Sequence, residues 1–349
     1  MTAPAKLPLG SSLSEFALIE SYFKQGALAM AQTARVATNE LTTIALGIGD
    51  DCALLQTNGS EILAISTDML LEGRHFLPGA NAQWLGHKAL AVNLSDLAAM
   101  GAKPLAFTLA LALPASDTVW LNNFSTGLFQ LATQFNCHLI GGDTTSGPLT
   151  MSITIIGSVG NHQALRRAGA KLGDDIWVSG CVGDARLALG ALRKEWSISD
   201  LALAEVLPRM HLPTPRIDLG LGLRSLASAA IDISDGLLGD LRHLLRASHL
   251  GAVLELAALP ISATLANQPE IIRWQCAAAG GDDYELCFTA AAEKRDQITV
   301  LSQTLSLPLT RIGYTTISTE AKIELIDSQG QALDANKTAN LLRSFDHFD

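Results

Sequence analysis

The sequence predicts a mixed α/β protein, α+β in places, built as two domains, and three observations carry that expectation. Strand-like apolar runs alternate with helical repeats along nearly the whole chain. At 349 residues the chain is long for a single core. Composition changes at Gly160–Gly173, a Gly/Ala/Lys-rich connection enclosing Arg166 and Arg167. The boundary is therefore expected there, with residues 1–161 as an N-terminal domain and 162–349 as a C-terminal α/β domain.

In chain order, Ser12-Leu13-Ser14-Glu15 is a capping box, and Phe16, Ile19, Tyr22 and Phe23 follow at helical spacing. Strands are expected near 44–48, 53–57 and 61–67, and the stretch Asp68 to Phe76 reads as a loop leaving the third. A helical repeat from Ala82 to Met100 is stopped by Gly101 and Pro104. A buried strand over 105–113 and a helix over 117–135 follow, the Trp120, Phe124 and Leu128 stripe of the helix reading as core. Gly141-Gly142-Asp143-Thr144-Thr145 reads as a loop before a strand at 150–159. The second half repeats the alternation. Strands are expected near 175–179, 229–233, 252–256, 284–289, 309–314 and 322–326, with helices near 183–193, 199–209, 237–247, 268–279 and 292–306.

Composition narrows the function classes. Hydrophobic residues make up 48% of the chain and charged residues 17%, enough apolar surface to exclude a disordered protein. Lys+Arg 24 against Asp+Glu 34 gives a formal net charge of -10, which argues against generic binding to nucleic acid or an anionic membrane. Five scattered cysteines (Cys52, Cys137, Cys181, Cys276, Cys287) lack CxxC spacing, which disfavours a disulfide framework or a zinc site and favours a reducing, cytoplasmic location. No apolar run resembles a signal-peptide core or a membrane span.

The chemistry is expected from aspartates that close apolar runs. Asp50 and Asp51 follow Gly47-Ile48-Gly49, and neighbouring strand residues face opposite ways, so the two should do different jobs. Asp68, Asp143, Asp232 and Asp235 recur in the same setting, and Asp96 interrupts an apolar helix face. Two carboxylates about 4 Å apart repel by roughly 4 kcal/mol at an effective dielectric near 20. If the group converges, it calls for hard divalent cations, and oxygen ligands without His or Cys suit Mg²⁺, whose shell is completed by water and phosphate oxygens. Ser66 and Thr67, beside Asp68, offer further oxygens. His75 is open to either a substrate contact or a packing or capping role. No P-loop, complete dinucleotide fingerprint, protein-kinase motif set or G-x-S-x-G elbow occurs.

Seven segments together resemble the thiamine-monophosphate kinase family, within the superfamily that includes aminoimidazole ribonucleotide synthetase and selenophosphate synthetase. They are GIGDDCALL at 47–55, AISTDML at 64–70, ALAVNLSDLAAMGAKP at 89–104, IGGDTT at 140–145, AIDISDGL at 230–237, GGDDYELCFT at 280–289 and FDHF at 345–348. The resemblance implies an aminoimidazole ribonucleotide synthetase-like fold whose N-terminal domains pair into a β-barrel at a homodimer interface. It implies Mg²⁺-dependent transfer from ATP to thiamine monophosphate, giving thiamine diphosphate. It also implies that Asp51, Ser66, Thr67, Asp68, Asp96, Asp143 and Asp232 hold several Mg²⁺ ions, with Asp235 as an outer ligand. By the same resemblance Gly142, Asp143, Arg167 and Ser234 hold ATP, and His75, Asp282 and Phe345 contact thiamine monophosphate. The family often has glutamate at the position of Asp282, and tyrosine occurs at that of Phe345.

The acceptor in that reaction is a phosphate oxygen already ionised at neutral pH, so no general base is expected, and transfer is expected to be direct. An ATP-dependent cyclo-ligase of the same superfamily and a Mg-nucleotide sensor without turnover are the alternatives. Product formation separates them.

Overall fold

The structure, a computed structural model, describes residues 43–57, 59–327 and 329–334, together with Ile19 and Lys24. The capping-box helix expected near residue 16 and the Phe345 contact lie outside the described residues.

Strands β1 (Thr43–Leu46), β2 (Ala53–Gln56), β3 (Glu61–Leu71), β4 (Lys103–Leu113), β5 (His138–Ser146) and β6 (Thr150–Gly160) form one sheet in the order β1-β2-β3-β6-β4-β5. All neighbours are antiparallel except β4 and β5. The second sheet contains β7 (Asp175–Ser179), β8 (Ala229–Asp232), β9 (Leu250–Glu255), β10 (Leu286–Ala290), β11 (Leu309–Ile317) and β12 (Ile323–Ile326). Its order is β12-β9-β11-β7-β10-β8, with β9 and β12 the parallel pair. The fold is thus mixed α and β, with two six-stranded sheets, and neither closes on itself.

Helix α1 (Ala82–Ala99) opens on Asn81, whose side chain accepts hydrogen bonds from the amides of Gln83 and Trp84. Asp117 does the same for Val119 and Trp120 at the start of α2 (Thr118–Gln134). The two helices approach closely because Gly86 and Gly127 lie at the crossing. A Cβ on Gly86 would run into the Phe124 carbonyl, and one on Gly127 into the Gln83 carbonyl. Unlike an ordinary surface helix, α1 is buried around nearly its whole circumference. It shares a hydrophobic core with strands of the first sheet (Phe107, Ile153, Ile155) and with Ile217, Leu223, Phe288 and Ile298 of the second half. Helices α3 (Asp184–Leu192), α4 (Asp200–His211), α5 (Ile217–Leu223), α6 (Leu237–Ser248), α7 (Ala263–Ala266), α8 (Glu270–Ala279) and α9 (Arg295–Leu305) are the other α-helices among the described residues. A second core gathers Ile176, Val178, Ile231, Leu241, Leu254 and Ile312.

Two expectations are corrected. The third strand does not stop at Thr67, because Ser66–Leu71 continue their ladder with Thr150–Ile155 of β6, leaving Asp68 in mid-strand. The stretch Gly141–Thr145 is not a loop, since it pairs in parallel with β4 throughout. Polar and glycine residues hid both continuations, as main-chain hydrogen bonds do not depend on apolar side chains.

The α1–α2 crossing yields a direct test. Gly86→Ala or Gly127→Ala should lower stability by about 1–3 kcal/mol through overpacking, measured by denaturant unfolding. An unchanged midpoint would show that the helices do not depend on this close approach.

Candidate active site

The site assembles where the first sheet, α1 and the edge of the second sheet meet. The β1–β2 connection turns through Gly49, at φ +125°, and delivers Asp50 and Asp51. The two diverge, as expected from their adjacency: Asp50 accepts the Arg167 main-chain N–H, at 3.2 Å to each oxygen, and Asp51 Oδ1 accepts Arg167 Nη2 at 2.6 Å. On β3, Ser66 donates to Asp96 Oδ2, and the Asp68 N–H donates to Asn93 Oδ1 at 3.3 Å. Thr67 points to the other face of the sheet, where its hydroxyl bonds Thr154 Oγ1 at 2.8 Å. From α1, Ser95 Oγ donates to Asp232 Oδ2 at 2.8 Å, at the end of β8.

Asp51, Asp96 and Asp232 each bring a carboxylate oxygen within 4.8 Å of the others. Among acids so close and largely dehydrated, Asp96 and Asp232 resist ionisation. Burial, then the charges of Asp68 and Asp232, push Asp96 well above the ordinary carboxylate range. Burial and then Asp51 raise Asp232 to about 8, and burial and Asp51 raise Asp50 to about 7. Burial opposes the charge of Arg167, but Asp51 and Asp50 outweigh it and hold the guanidinium protonated. Asp51 Oδ2 is buried and accepts no hydrogen bond among the described residues. A dehydrated carboxylate oxygen in a group of three acids is one that a hard cation can satisfy. The donor set agrees: it is all oxygen, and burial raises the neighbouring Cys52 thiol, keeping it neutral. The residues present therefore fit Mg²⁺.

The remaining expected residues distribute as follows. Ser234 and Asp235 lie in the turn between β8 and α6, half-buried beside Asp232. Asp282 accepts a hydrogen bond from Lys88 Nζ at 2.5 Å. His75 lies in the turn after β3, and its Nδ1 accepts the Leu71 N–H at 2.9 Å. Gly142 and Asp143 lie on the edge strand β5, where a Cβ on Gly142 would run into the Leu109 carbonyl. Asp143 stands apart from the carboxylate group. Its row across the sheet runs through Ala110, Ser152 and Met69, so it shares the face of Thr67 and Met69 and not that of Asp68. Three strand spacings separate β5 from β3, about 14 Å.

Several supporting residues escaped the sequence reading. Asp240 Oδ2 accepts the N–H groups of Ser234, Asp235 and Gly236, each at 3.1 Å, and so shapes the turn next to Asp232. Its place in the first turn of a helix after a glycine was the available signal. Within GGDDYELCFT, both Asp283 oxygens accept the Gly183 N–H at 2.9 Å. Fully buried Glu285 accepts from Ser179 Oγ, Arg209 Nη2 and both Arg216 Nε and Nη2 at 2.5–2.6 Å. These partners are remote in sequence, so spacing alone could not reveal them.

The chain is similar to known proteins along nearly its whole length. Residues 49–159 match the family model "AIR synthase related protein, N-terminal domain". The chain is 46% identical to the thiamine-monophosphate kinase of Escherichia coli strain K12 over 338 residues, covering 96% of this chain and 98% of the relative. It is similar to the crystal structure of thiamine-monophosphate kinase from Stenotrophomonas maltophilia K279a, with TM-score 0.74 and 45% identity over 92% of this chain and 98% of that one. It is also similar to AaThiL complexed with AMPPCP and TMP, with TM-score 0.77 and 27% identity over 98% of this chain and all of that one.

The raised acids set a pH dependence. Asp232, at about 8, binds a proton in the folded state that the unfolded chain releases near pH 4. The folded state therefore holds more protons across that window, and its stability falls as pH rises. Without divalent cations, the melting temperature should drop between about pH 5 and about pH 8. Excess Mg²⁺ should reverse much of that drop by replacing the protons. A melting temperature at the upper pH that ignores Mg²⁺ would contradict a cation site in this cluster.

Proposed function

Because the chain belongs to the thiamine-monophosphate kinase family, we propose that it transfers the γ-phosphoryl group of ATP directly to thiamine monophosphate, giving thiamine diphosphate and ADP. The observation that carries the reading is the convergence of Asp51, Asp96 and Asp232 within 4.8 Å, beside Asp68 and Arg167. Phosphoryl transfer between two anions is limited by charge and alignment. When bound, Mg²⁺ supplies the charge neutralisation that lets donor and acceptor phosphates approach. Asp51, Ser66, Thr67, Asp68, Asp96, Asp143, Asp232 and Asp235 form the proposed metal set. Arg167, fixed by Asp51, would hold further phosphate charge, joined by Gly142, Asp143 and Ser234 around ATP. His75, Asp282 and Phe345 would contact thiamine monophosphate. The acceptor oxygen needs no base, so no side chain carries the phosphoryl group and His75 serves binding alone. The working units are residues 1–161 and 162–349, a division consistent with the ends of the two sheets at Gly160 and Asp175. A cytoplasmic enzyme is consistent with the scattered thiols, and no described helix is long and apolar enough to cross a membrane.

We propose in addition a homodimer, a reading that the position of Asp143 supports. Strand β2 pairs with β3 only over Ile62–Ile65, so Ser66–Leu71 have an open edge on that side among the described residues. The outer edge of β5 is open as well. Exposed Met69, Leu71, Leu139 and Ile140 line these two edges. Two-fold pairing of β5 with Ser66–Leu71 of a second copy joins β3, β6, β4 and β5 of each copy into a barrel. That pairing brings Asp143 of one copy beside Thr67 and Asp68 of the other.

Two experiments test these readings. Enzyme incubated with Mg-ATP and thiamine monophosphate should form ADP and thiamine diphosphate. Asp96→Asn should cut kcat by about two orders of magnitude or more while raising the melting temperature of the cation-free protein. Nucleotide-dependent stabilisation without ADP formation would make the chain a sensor. Asp68→Asn and Asp143→Asn should each be inactive, yet a randomly reassorted 1:1 mixture should recover about a quarter of wild-type activity, because about half of its dimers are mixed and one of the two sites in each mixed dimer keeps both aspartates. No recovery in verified mixed dimers would place Asp143 outside a shared site.

A further inference from the structure

Lys88 is a cation on a helix otherwise buried among apolar groups, with its side chain 3% exposed. Such a charge is tolerated only when paired and hydrogen-bonded. Its Nζ donates to the Met210 carbonyl at 3.0 Å and to Asp282 Oδ2 at 2.5 Å. Lys88 therefore ties α1 to the end of α4 and to the Gly280–Tyr284 turn.

That turn is held with unusual stringency. Asp282 adopts φ +75° and Tyr284 φ +50°, a region that favours glycine. The Asp282 N–H donates to the Ser234 carbonyl at 2.7 Å and the Tyr284 N–H to the Ile233 carbonyl at 2.8 Å. A Cβ on Gly281 would meet the same Ser234 carbonyl. The backbone of Asp282 is thus strapped to the turn carrying Ser234 and Asp235, and its side chain is fixed from the opposite side by Lys88. One carboxylate oxygen is consumed. The other, Oδ1, accepts nothing among the described residues, and the Asp282 side chain remains 25% exposed.

Helix α1 sets the distance between this pair and the carboxylate cluster. Lys88 and Asp96 are eight positions apart, about 12 Å along the axis. One turn beyond Lys88, Trp84 stacks on His211 with ring centroids 4.9 Å apart. The acids fit for Mg²⁺, the Lys88–Asp282 pair and the aromatic pair thus follow one another along the length of α1.

We propose that Lys88 is a positioning residue that fixes Asp282 as a charge-compensated acceptor for a ring-borne N–H donor of the substrate, the exocyclic amine of the aminopyrimidine. The inference rests on the reading of Asp282 as a substrate contact and extends it. An unpaired carboxylate would attract the cationic thiazolium without directional preference. With its charge met by Lys88, Asp282 selects by hydrogen-bond direction, since an ionised carboxylate only accepts.

The test is steady-state kinetics with thiamine monophosphate and with its analogue in which the exocyclic amine is replaced by a carbonyl oxygen. Asp282→Asn should raise KM for thiamine monophosphate about tenfold. Lys88→Gln should raise it by a similar factor, about tenfold, narrow discrimination against the carbonyl analogue, and leave KM for ATP and kcat within about twofold. Lys88→Arg should recover part of the loss. The double variant Lys88→Gln/Asp282→Asn, which leaves no unpaired buried charge, should match Asp282→Asn alone, because coupled residues are not additive. It also provides the folded comparison if Lys88→Gln alone is unstable. If Asp282→Asn raises KM while Lys88→Gln leaves KM and analogue discrimination at wild-type values, the positioning role is overturned and the Asp282 contact stands. If the double variant instead binds thiamine monophosphate about tenfold more weakly than Asp282→Asn, Lys88 acts independently of Asp282 and the proposal is also overturned. If Asp282→Asn changes nothing, the contact itself fails.

Discussion

The mutual repulsion of Asp51, Asp96 and Asp232 is the constraint on which the rest of the molecule depends. Three acids whose oxygens lie within 4.8 Å oppose folding whenever they are ionised without a counter-charge. The fold answers with Arg167 on Asp51, Ser66 on Asp96 and Ser95 on Asp232. Arg167 offsets the charge on Asp51, whereas the two serine hydroxyls orient Asp96 and Asp232 without cancelling theirs. Asp51 Oδ2, buried without a donor among the described residues, marks where neutralisation is still incomplete. A protein selected for stability alone would replace such acids. Their gathering within 4.8 Å makes sense as a site for a cation and for the phosphates that travel with it.

Helix α1 converts that local constraint into an extended site. Its Ser95 and Asp96 enter the carboxylate group, and Asn93 steadies the Asp68 main chain. Lys88 reaches the turn of the second half, while His87 Nε2 meets the Pro213 carbonyl at 2.9 Å. Burial around most of its circumference fixes the rotation and height of the helix, so the spacing between its functional groups is set by helical rise and not by loop flexibility. The Glu285 network performs a comparable service behind the site, where Arg209 and Arg216 anchor α4 and the start of α5 to β10.

Much of this was legible in the sequence where one side chain announces its own environment. Asp51, Asp68, Asp96 and Asp232 stood out because acids at the ends or centres of apolar runs require an explanation, and all four prove to be neighbours. Strand β7 and helices α1, α2 and α6 appear within a residue or two of their expected bounds, since apolar periodicity decides them. Legibility failed where the decisive partner is distant. The continuation of β3 past Thr67 and of β5 through Gly141–Thr145 depends on neighbours in the sheet, not on local composition. Likewise, nothing near Lys88 points to Asp282, and nothing near Asp143 indicates that it occupies the face opposite Asp68.

The central claim, that these acids converge to hold divalent cations, is tested most directly by diffraction from crystals grown with Mn²⁺ and a non-hydrolysable ATP analogue. The account predicts an anomalous peak coordinated by oxygens of Asp51, Asp96 and Asp232, with phosphate oxygens completing its shell. A well-ordered nucleotide with no anomalous density among these three carboxylates would contradict it.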